Sequence, residues 1–281
     1  MTLLLKRRGA FSAAHNYWLA GLTPDENAAL FGKWAAQEGH GHNYTVELTV
    51  AGGIDRRTGM VVNIVDIDRV LKAEVLEPLD GKFLNKDVSF FTTTSPTLEN
   101  LAAFIWQRVE PHLPKIATLT GVRVWEMPTL WADQSKRGNT MQVSITRAYD
   151  FSASHRLHSR HLTDDENREV FGKCNNPNGH GHNYEVEVTI SGEPDARTGM
   201  LYPLEKLDAI VDETILKPFD HKHLNLDVPE FASENPTSEM LTLVVWNKLA
   251  EKLPTTGSPR MSKVLVRETA RNSFEYYGEG S

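Results

Sequence analysis

Phe171-Gly-Lys-Cys-Asn-Asn-Pro-Asn-Gly-His-Gly-His-Asn-Tyr184 sets the chain's only cysteine six residues ahead of two histidines spaced i, i+2. Residues two apart in a strand point to the same face, so His180 and His182 can close on one metal ion. The parity continues: His180, His182, Tyr184, Val186, Val188 and Ile190 share one face, and Asn183, Glu185, Glu187 and Thr189 take the other. This pattern is a half-buried strand whose apolar face begins with two imidazoles. Upstream, Met141 to His155 has mostly apolar odd positions and ends in a third candidate ligand, His155. Three neutral imidazoles would leave the fourth position of a tetrahedral zinc ion open, the arrangement of catalytic rather than closed structural sites. Taken alone, His-Gly-His is equally a turn or a hydrogen-bonded core pair; the preceding Cys174 and the third histidine favour the metal.

The same words occur earlier in the chain. At an offset of 140, Phe11-Ser-Ala-Ala-His15 falls on Phe151-Ser-Ala-Ser-His155, Phe31-Gly-Lys33 on Phe171-Gly-Lys173, and His40-Gly-His-Asn-Tyr44 on His180-Gly-His-Asn-Tyr184. Thr58-Gly-Met60 falls on Thr198-Gly-Met200 and Pro96-Thr97 on Pro236-Thr237; after a two-residue insertion, Val124-Trp-Glu126 meets Val266-Arg-Glu268. The chain is therefore read as a tandem duplication, with domains 1–134 and 140–281 and a polar linker over 135–139. The first copy repeats the ligand set as His15, His40 and His42.

Each copy reads as two alternating strands, two helices and two short strands. Leu204, Leu207, Val211 and Ile215 make one apolar helix face. The next helix begins near Asn235-Pro236, matching Ser95-Pro96, with the polar residue as N-cap and proline in the first turn. The expected fold is α+β, two β-β-α-α-β-β units, each an antiparallel sheet with its two helices on one side. Such a sheet has open edges that want partners.

Composition narrows the function classes. The 281 residues are 40% hydrophobic and 24% charged, with a formal net charge of -7 and no basic run, so there is no electrostatic footprint for nucleic acid. Met1 to Leu5 is apolar but Lys6-Arg7-Arg8 follows at once, which suits neither a signal peptide nor a membrane span. One cysteine permits no internal disulfide, and a cytoplasmic protein is expected.

The second copy resembles the 6-pyruvoyl-tetrahydropterin synthase family. The resemblance is carried by Phe-Ser-Ala-Ser-His155, by the Cys174 to Tyr184 run, by Asp220-His221-Lys222 and by the late Glu268. Relatives that make 6-carboxytetrahydropterin on the route to queuosine share these residues. Glu-Asn-Pro-Thr-Ser-Glu239 is more like that branch, and the long Cys174 to His180 loop more like the pyruvoyl branch of tetrahydrobiopterin synthesis. The resemblance implies a tunnelling fold, zinc, a homo-oligomer with active sites at subunit interfaces, and 7,8-dihydroneopterin triphosphate as substrate. Its elimination requires removal of carbon-bound protons beside oxygen, which a zinc ion promotes as a Lewis acid. Cys174 is then the base, because a thiolate is favoured near a cation; its bland alternative is a small buried hydrophobe. Likewise implied are His221 as an acid or base assisted by Asp220, and Glu268 as the carboxylate accepting the pterin's N–H groups. Thr237 and Glu239 are further candidates for pterin contacts, with helix capping as the alternative.

The first copy keeps His15, His40, His42, Asp80 and Glu126 but has Trp34 where Cys174 stands and Gly81 where His221 stands. An indole takes no proton and a glycine shuttles none, so this copy is expected to lack elimination activity; Glu38, two residues before His40, is a substitute base in a different loop position. A reading of another class is a non-catalytic zinc and pterin scaffold. The intact Cys174, Asp220, His221 and Glu268 set favours the enzyme.

Overall fold

Strand β1 (Thr2–His15) runs antiparallel to β2 (His40–Gly53), with His15 opposite His40 and Ala13 opposite His42. Every second residue of β2 from Tyr44 to Val50 has no exposed surface, so the alternation of the sequence becomes one wall of a core. The computed structural model describes residues 2–138 and 140–279. Between these strands lies α1 (Pro24–Phe31), then α2 (Ile64–Leu71), the two-residue β3 (Lys82–Phe83), α3 (Leu98–Val109), β4 (Thr118–Met127) and β5 (Leu130–Arg137). The order across this sheet is β5-β4-β2-β1-β3. Helix α2 continues through a π turn, Lys72–Leu76, so that Ile67, Leu71, Val75 and Leu79 stay on the buried side at i, i+4 spacing.

The second copy repeats the plan with β6 (Thr140–His155), α4 (Asp164–Phe171), β7 (His180–Gly192), α5 (Leu204–Val211), β8 (Lys222–His223), α6 (Ser238–Ala250), β9 (Arg260–Thr269) and β10 (Asn272–Tyr276). Its strand order is β10-β9-β7-β6, with β8 parallel to β6 at Ala153 and Ser154. Leu207, Val211, Ile215 and Phe219 are fully buried, as are Leu241, Val245 and Leu249 of α6. Each such side chain contributes about 1.5–3 kcal/mol of burial free energy.

Packing divides the chain into two compact units, one running to Thr146 and including Ser191–Glu205, the other comprising Arg147–Ile190 and the residues from Lys206 onward. The turn through Thr198-Gly-Met200 thus packs in the N-terminal unit: the Thr97 hydroxyl donates to the Gly199 carbonyl at 2.9 Å, and the Leu201 N–H to Glu99 Oε1 at 2.8 Å. No helix among the described residues is long and apolar enough to cross a membrane.

Three expectations change. Each unit has a helix between its first two strands, α1 or α4, so the order is richer than β-β-α-α-β-β. Both are closed by a capping box, Thr23 with Glu26 and Thr163 with Glu166. Of the expected linker, Ser135 to Arg137 belong to β5, because pairing with β4 continues as far as Ser135 opposite Gly121; Asn139 lies outside the described residues. The N-caps of α3 and α6 are Thr97 and Thr237 rather than Ser95 and Asn235, since the threonines are in extended backbone and their hydroxyls accept from the N–H of Asn100 and Met240.

Candidate active site

In the C-terminal unit the end of β6 and the start of β7 bring His155, His180 and His182 together, their ligand atoms within 4.8 Å of one another. His155 is 1% exposed. Its Nδ1 lies 2.8 Å from the Pro236 carbonyl, which can only accept, so the proton sits on Nδ1 and the Nε2 lone pair faces the cluster. That Nε2 is 3.2 Å from His180 Nε2. Burial lowers the pKa of His155 and of His180, keeping both imidazoles neutral. Among the described residues, His182 Nε2 and His180 Nδ1 are buried without a hydrogen-bond partner. A polar atom left bare in this way fits a cation held by the three rings. Gly179 is required just ahead of them: its φ is +74°, and a Cβ there would meet the His155 carbonyl oxygen at 3.0 Å.

Glu268 at the end of β9 approaches the same rings, its Oε1 3.7 Å from the Nε2 atoms of His155 and His182. Burial raises its pKa, but hydrogen bonds from Asn272 and Ser238 and the neighbouring His182 and His155 outweigh it and hold the carboxyl below its ordinary value. The Asn272 amide donates to Oε2 at 2.9 Å.

Asp220 and His221 touch, with Oδ2 2.9 Å from Nδ1. Asp220 also accepts from the Ser152 N–H at 2.9 Å, and these two bonds, the backbone one foremost, depress its pKa. His221 has φ +55°, a left-handed conformation uncommon outside glycine. Such strain at a non-glycine position marks sites where the side chain is needed. His182, His221 and His223 line one cavity of about 500 Å³ together with Ser152, Asn183 and Lys222.

Other predicted residues stand apart. Cys174 lies in the short turn Gly172–Asn175 after α4, half-buried and reduced, and does not line that cavity. Its carbonyl accepts from the Leu157 N–H at 2.9 Å. The Thr237 hydroxyl caps α6 by accepting from Met240 N–H, and Glu239 is exposed. His223 was not anticipated from sequence. The signal was the i, i+2 pair His221 and His223, hidden because a two-residue strand has no periodicity to read.

In the N-terminal unit His15, His40, His42 and Glu126 form a four-membered group. His15 Nδ1 faces the Pro96 carbonyl at 3.1 Å, and the Tyr44 hydroxyl is 3.2 Å from its Nε2. Burial lowers the pKa of His15 to about 3 and that of His42 to about 4. Trp34 fills the place of the cysteine, 3% exposed, and Asp80 accepts from Ser12 N–H at 2.8 Å as Asp220 does from Ser152. Gly81 has φ +70°. Glu38 lies before Gly39 in the loop ahead of β2 and has no place in the four-membered group.

Comparison with known proteins places the repeat in a family. The 6-pyruvoyl tetrahydropterin synthase family profile matches residues 4–137 and again 144–279. The human 6-pyruvoyl tetrahydrobiopterin synthase is 47% identical over 142 residues, covering 50% of this chain and 96% of that protein. A putative 6-carboxy-5,6,7,8-tetrahydropterin synthase of Archaeoglobus fulgidus is 44% identical over 73 residues, 26% of this chain and 57% of its own length. The solved Caenorhabditis elegans 6-pyruvoyl tetrahydropterin synthase is 42% identical, with a TM-score of 0.46, covering 49% of this chain and 96% of that one. With both halves of its length matched, this chain belongs to the 6-pyruvoyl tetrahydropterin synthase family.

Proposed function

We propose that the protein is a zinc-dependent lyase that eliminates tripolyphosphate from 7,8-dihydroneopterin triphosphate and rearranges the side chain to 6-pyruvoyl-tetrahydropterin, with the C-terminal unit as the working one. The observation that carries this reading is the single cavity shared by His182 and the Asp220-bound His221. His155, His180 and His182 would hold the ion, and the unpartnered His182 Nε2 fits that role. Bound there, zinc supplies Lewis acidity toward a substrate oxygen. Glu268, ionised and steadied by Asn272, accepts hydrogen bonds from the pterin's N–H edge. Cys174 removes the carbon-bound proton as thiolate. His221, oriented by Asp220, carries a proton on the cavity side. We read the protein as a cytoplasmic homo-oligomer in which other subunits cover the exposed sheet edges and Glu239.

The test is anaerobic incubation of the zinc-loaded protein with dihydroneopterin triphosphate, measuring tripolyphosphate and acetaldehyde. Tripolyphosphate without acetaldehyde is expected. Equal amounts would move the assignment to the 6-carboxytetrahydropterin reaction, the reading favoured by the Archaeoglobus relative. Release of neither would leave a pterin-binding scaffold.

A further inference from the structure

We propose that the N-terminal unit holds its metal ion with four protein ligands, His15, His40, His42 and Glu126, as a closed structural centre that the C-terminal unit does not share. The proposal rests on the reading of the histidine triads as zinc ligands. In the N-terminal unit Glu126 Oε1 is 3.4 Å from His42 Nε2 and Oε2 is 3.8 Å from His15 Nε2. Zinc bonds of roughly 2.0–2.1 Å put the corners of a tetrahedron roughly 3.3 Å apart, so the carboxylate already stands near the fourth corner. Glu126 is 2% exposed, and a carboxylate buried against imidazoles is stabilised by a divalent cation between them.

Substitutions around the two carboxylates explain why they differ. Glu268 Oε1 lies 3.7 Å from the Nε2 atoms of both His155 and His182, but the carboxylate is also bonded by Ser238 and the Asn272 amide and its side chain retains 16% exposure against none for Glu126, so that only Glu126 groups with its three histidines. The matching positions in the N-terminal unit are Leu98 and Leu130, both buried, and leucine offers no donor. In their place the indole N–H of Trp34 donates to Glu126 Oε1 at 3.3 Å, from the ring's own buried position against Tyr17. One exchange, Cys174 to Trp34, removes the base; the same indole holds the carboxylate against the histidines. A carboxylate spent on the metal is also unavailable to a pterin, so this unit binds none.

Cobalt(II) in place of zinc distinguishes the two coordination states. The full-length chain is loaded with Co2+ as His180→Ala/His182→Ala, which leaves only the N-terminal centre, and as His40→Ala/His42→Ala, which leaves only the other. The first is expected to bind one Co2+ per chain, with tetrahedral visible bands that azide does not alter and slow release to EDTA. The second should bind one ion whose bands change with azide. Glu126→Gln in the first background should make the bands azide-sensitive and speed release at least tenfold; Trp34→Phe, which keeps the ring and loses the donor, should do the same to a smaller degree. An azide-sensitive N-terminal centre, or Glu126→Gln and Trp34→Phe proteins that are folded by circular dichroism and release metal at the parent rate, would overturn the proposal while leaving the triads as ligands. Binding of cobalt to neither parent would overturn the triad reading itself, and this proposal with it.

Discussion

The two units share a frame and differ in what fills it. Both seat three histidines on the first two strands, fix the first by a proline carbonyl, and keep an aspartate bonded to the backbone of the first strand. Yet Trp34 stands for Cys174, Gly81 for His221, and Leu98 and Leu130 for Ser238 and Asn272. Each of these exchanges removes a group to which we assign proton transfer or one that bonds Glu268, and none disturbs a strand or helix. The difference teaches that the fold constrains the first histidine of each triad and the aspartate, which are bonded to backbone, and the other two histidines by their places on the second strand. Cys174 and His221, to which we assign proton transfer, sit in turns and can be lost alone.

The largest effect should come from the side chain that most separates the units. Cys174→Ala is expected to lower tripolyphosphate release by about 10²–10⁴-fold, the range for loss of a positioned base. Trp34→Phe, in the matching place, should leave turnover unchanged. Turnover assays on both proteins check this; a fully active Cys174→Ala protein would end the division of labour.

Glu99 gives a pH-dependent contrast with its exposed counterpart Glu239. Burial pushes the Glu99 carboxyl up to about 7, against the lowering influence of the Leu201 N–H. A raised pKa means that the folded state prefers the proton: stability from this group is intact below about 4.5 and is lost as pH rises through 7. The shift from 4.5 to about 7 corresponds to about 3 kcal/mol. Glu99→Gln keeps an acceptor for Leu201 and has no charge to bury, so its stability advantage should grow between pH 5 and pH 8 and then level. Urea denaturation at the two pH values measures it; an advantage equal at both would mean that Glu99 is not buried as a titrating group.

His221→Gly copies the N-terminal unit's solution and should separate function from stability. Turnover is expected to fall about 10²-fold or more with loss of the proton carrier. Relief of the left-handed backbone should raise stability by about 1 kcal/mol, read as a higher denaturant midpoint. A less stable variant would mean that the bond to Asp220 outweighs the strain.

How much of this was legible follows from the range of the interactions. The triads could be read because strand parity and a short word fix them locally, and the repeat doubled the signal. Helices α1 and α4 were missed although Thr23-Pro-Asp-Glu26 and Thr163-Asp-Asp-Glu166 spell capping boxes, because α4 is polar on nearly all sides and neither shows a strong apolar stripe. The proline of Asn235-Pro236 pointed to a cap at Asn235, but its carbonyl serves His155, and the cap is two residues on, at Thr237. The bond from the Trp34 indole to Glu126 joins residues that only the fold brings together, and no window of sequence contains both.

The smallest prediction concerns the frame itself. Thr23 and Thr163 accept from the N–H of Glu26 and Glu166 at 3.3 Å in each case, and each glutamate returns a bond to the cap residue's N–H, at 2.8 and 2.7 Å. Both boxes are exposed, and each closes a helix that leads into the turn bearing Trp34 or Cys174. If the units diverged only in groups that handle protons, Thr23→Ala and Thr163→Ala should each cost about 1 kcal/mol, the usual loss for an N-cap. Denaturant midpoints on the full chain compare them directly. A Thr163→Ala cost well above that of Thr23→Ala would show that the turn carrying Cys174 depends on its helix more than the turn carrying Trp34, where a buried indole anchors the chain by itself. That result would locate part of the functional divergence in the frame, and the separation of scaffold from chemistry argued from the two units would no longer hold.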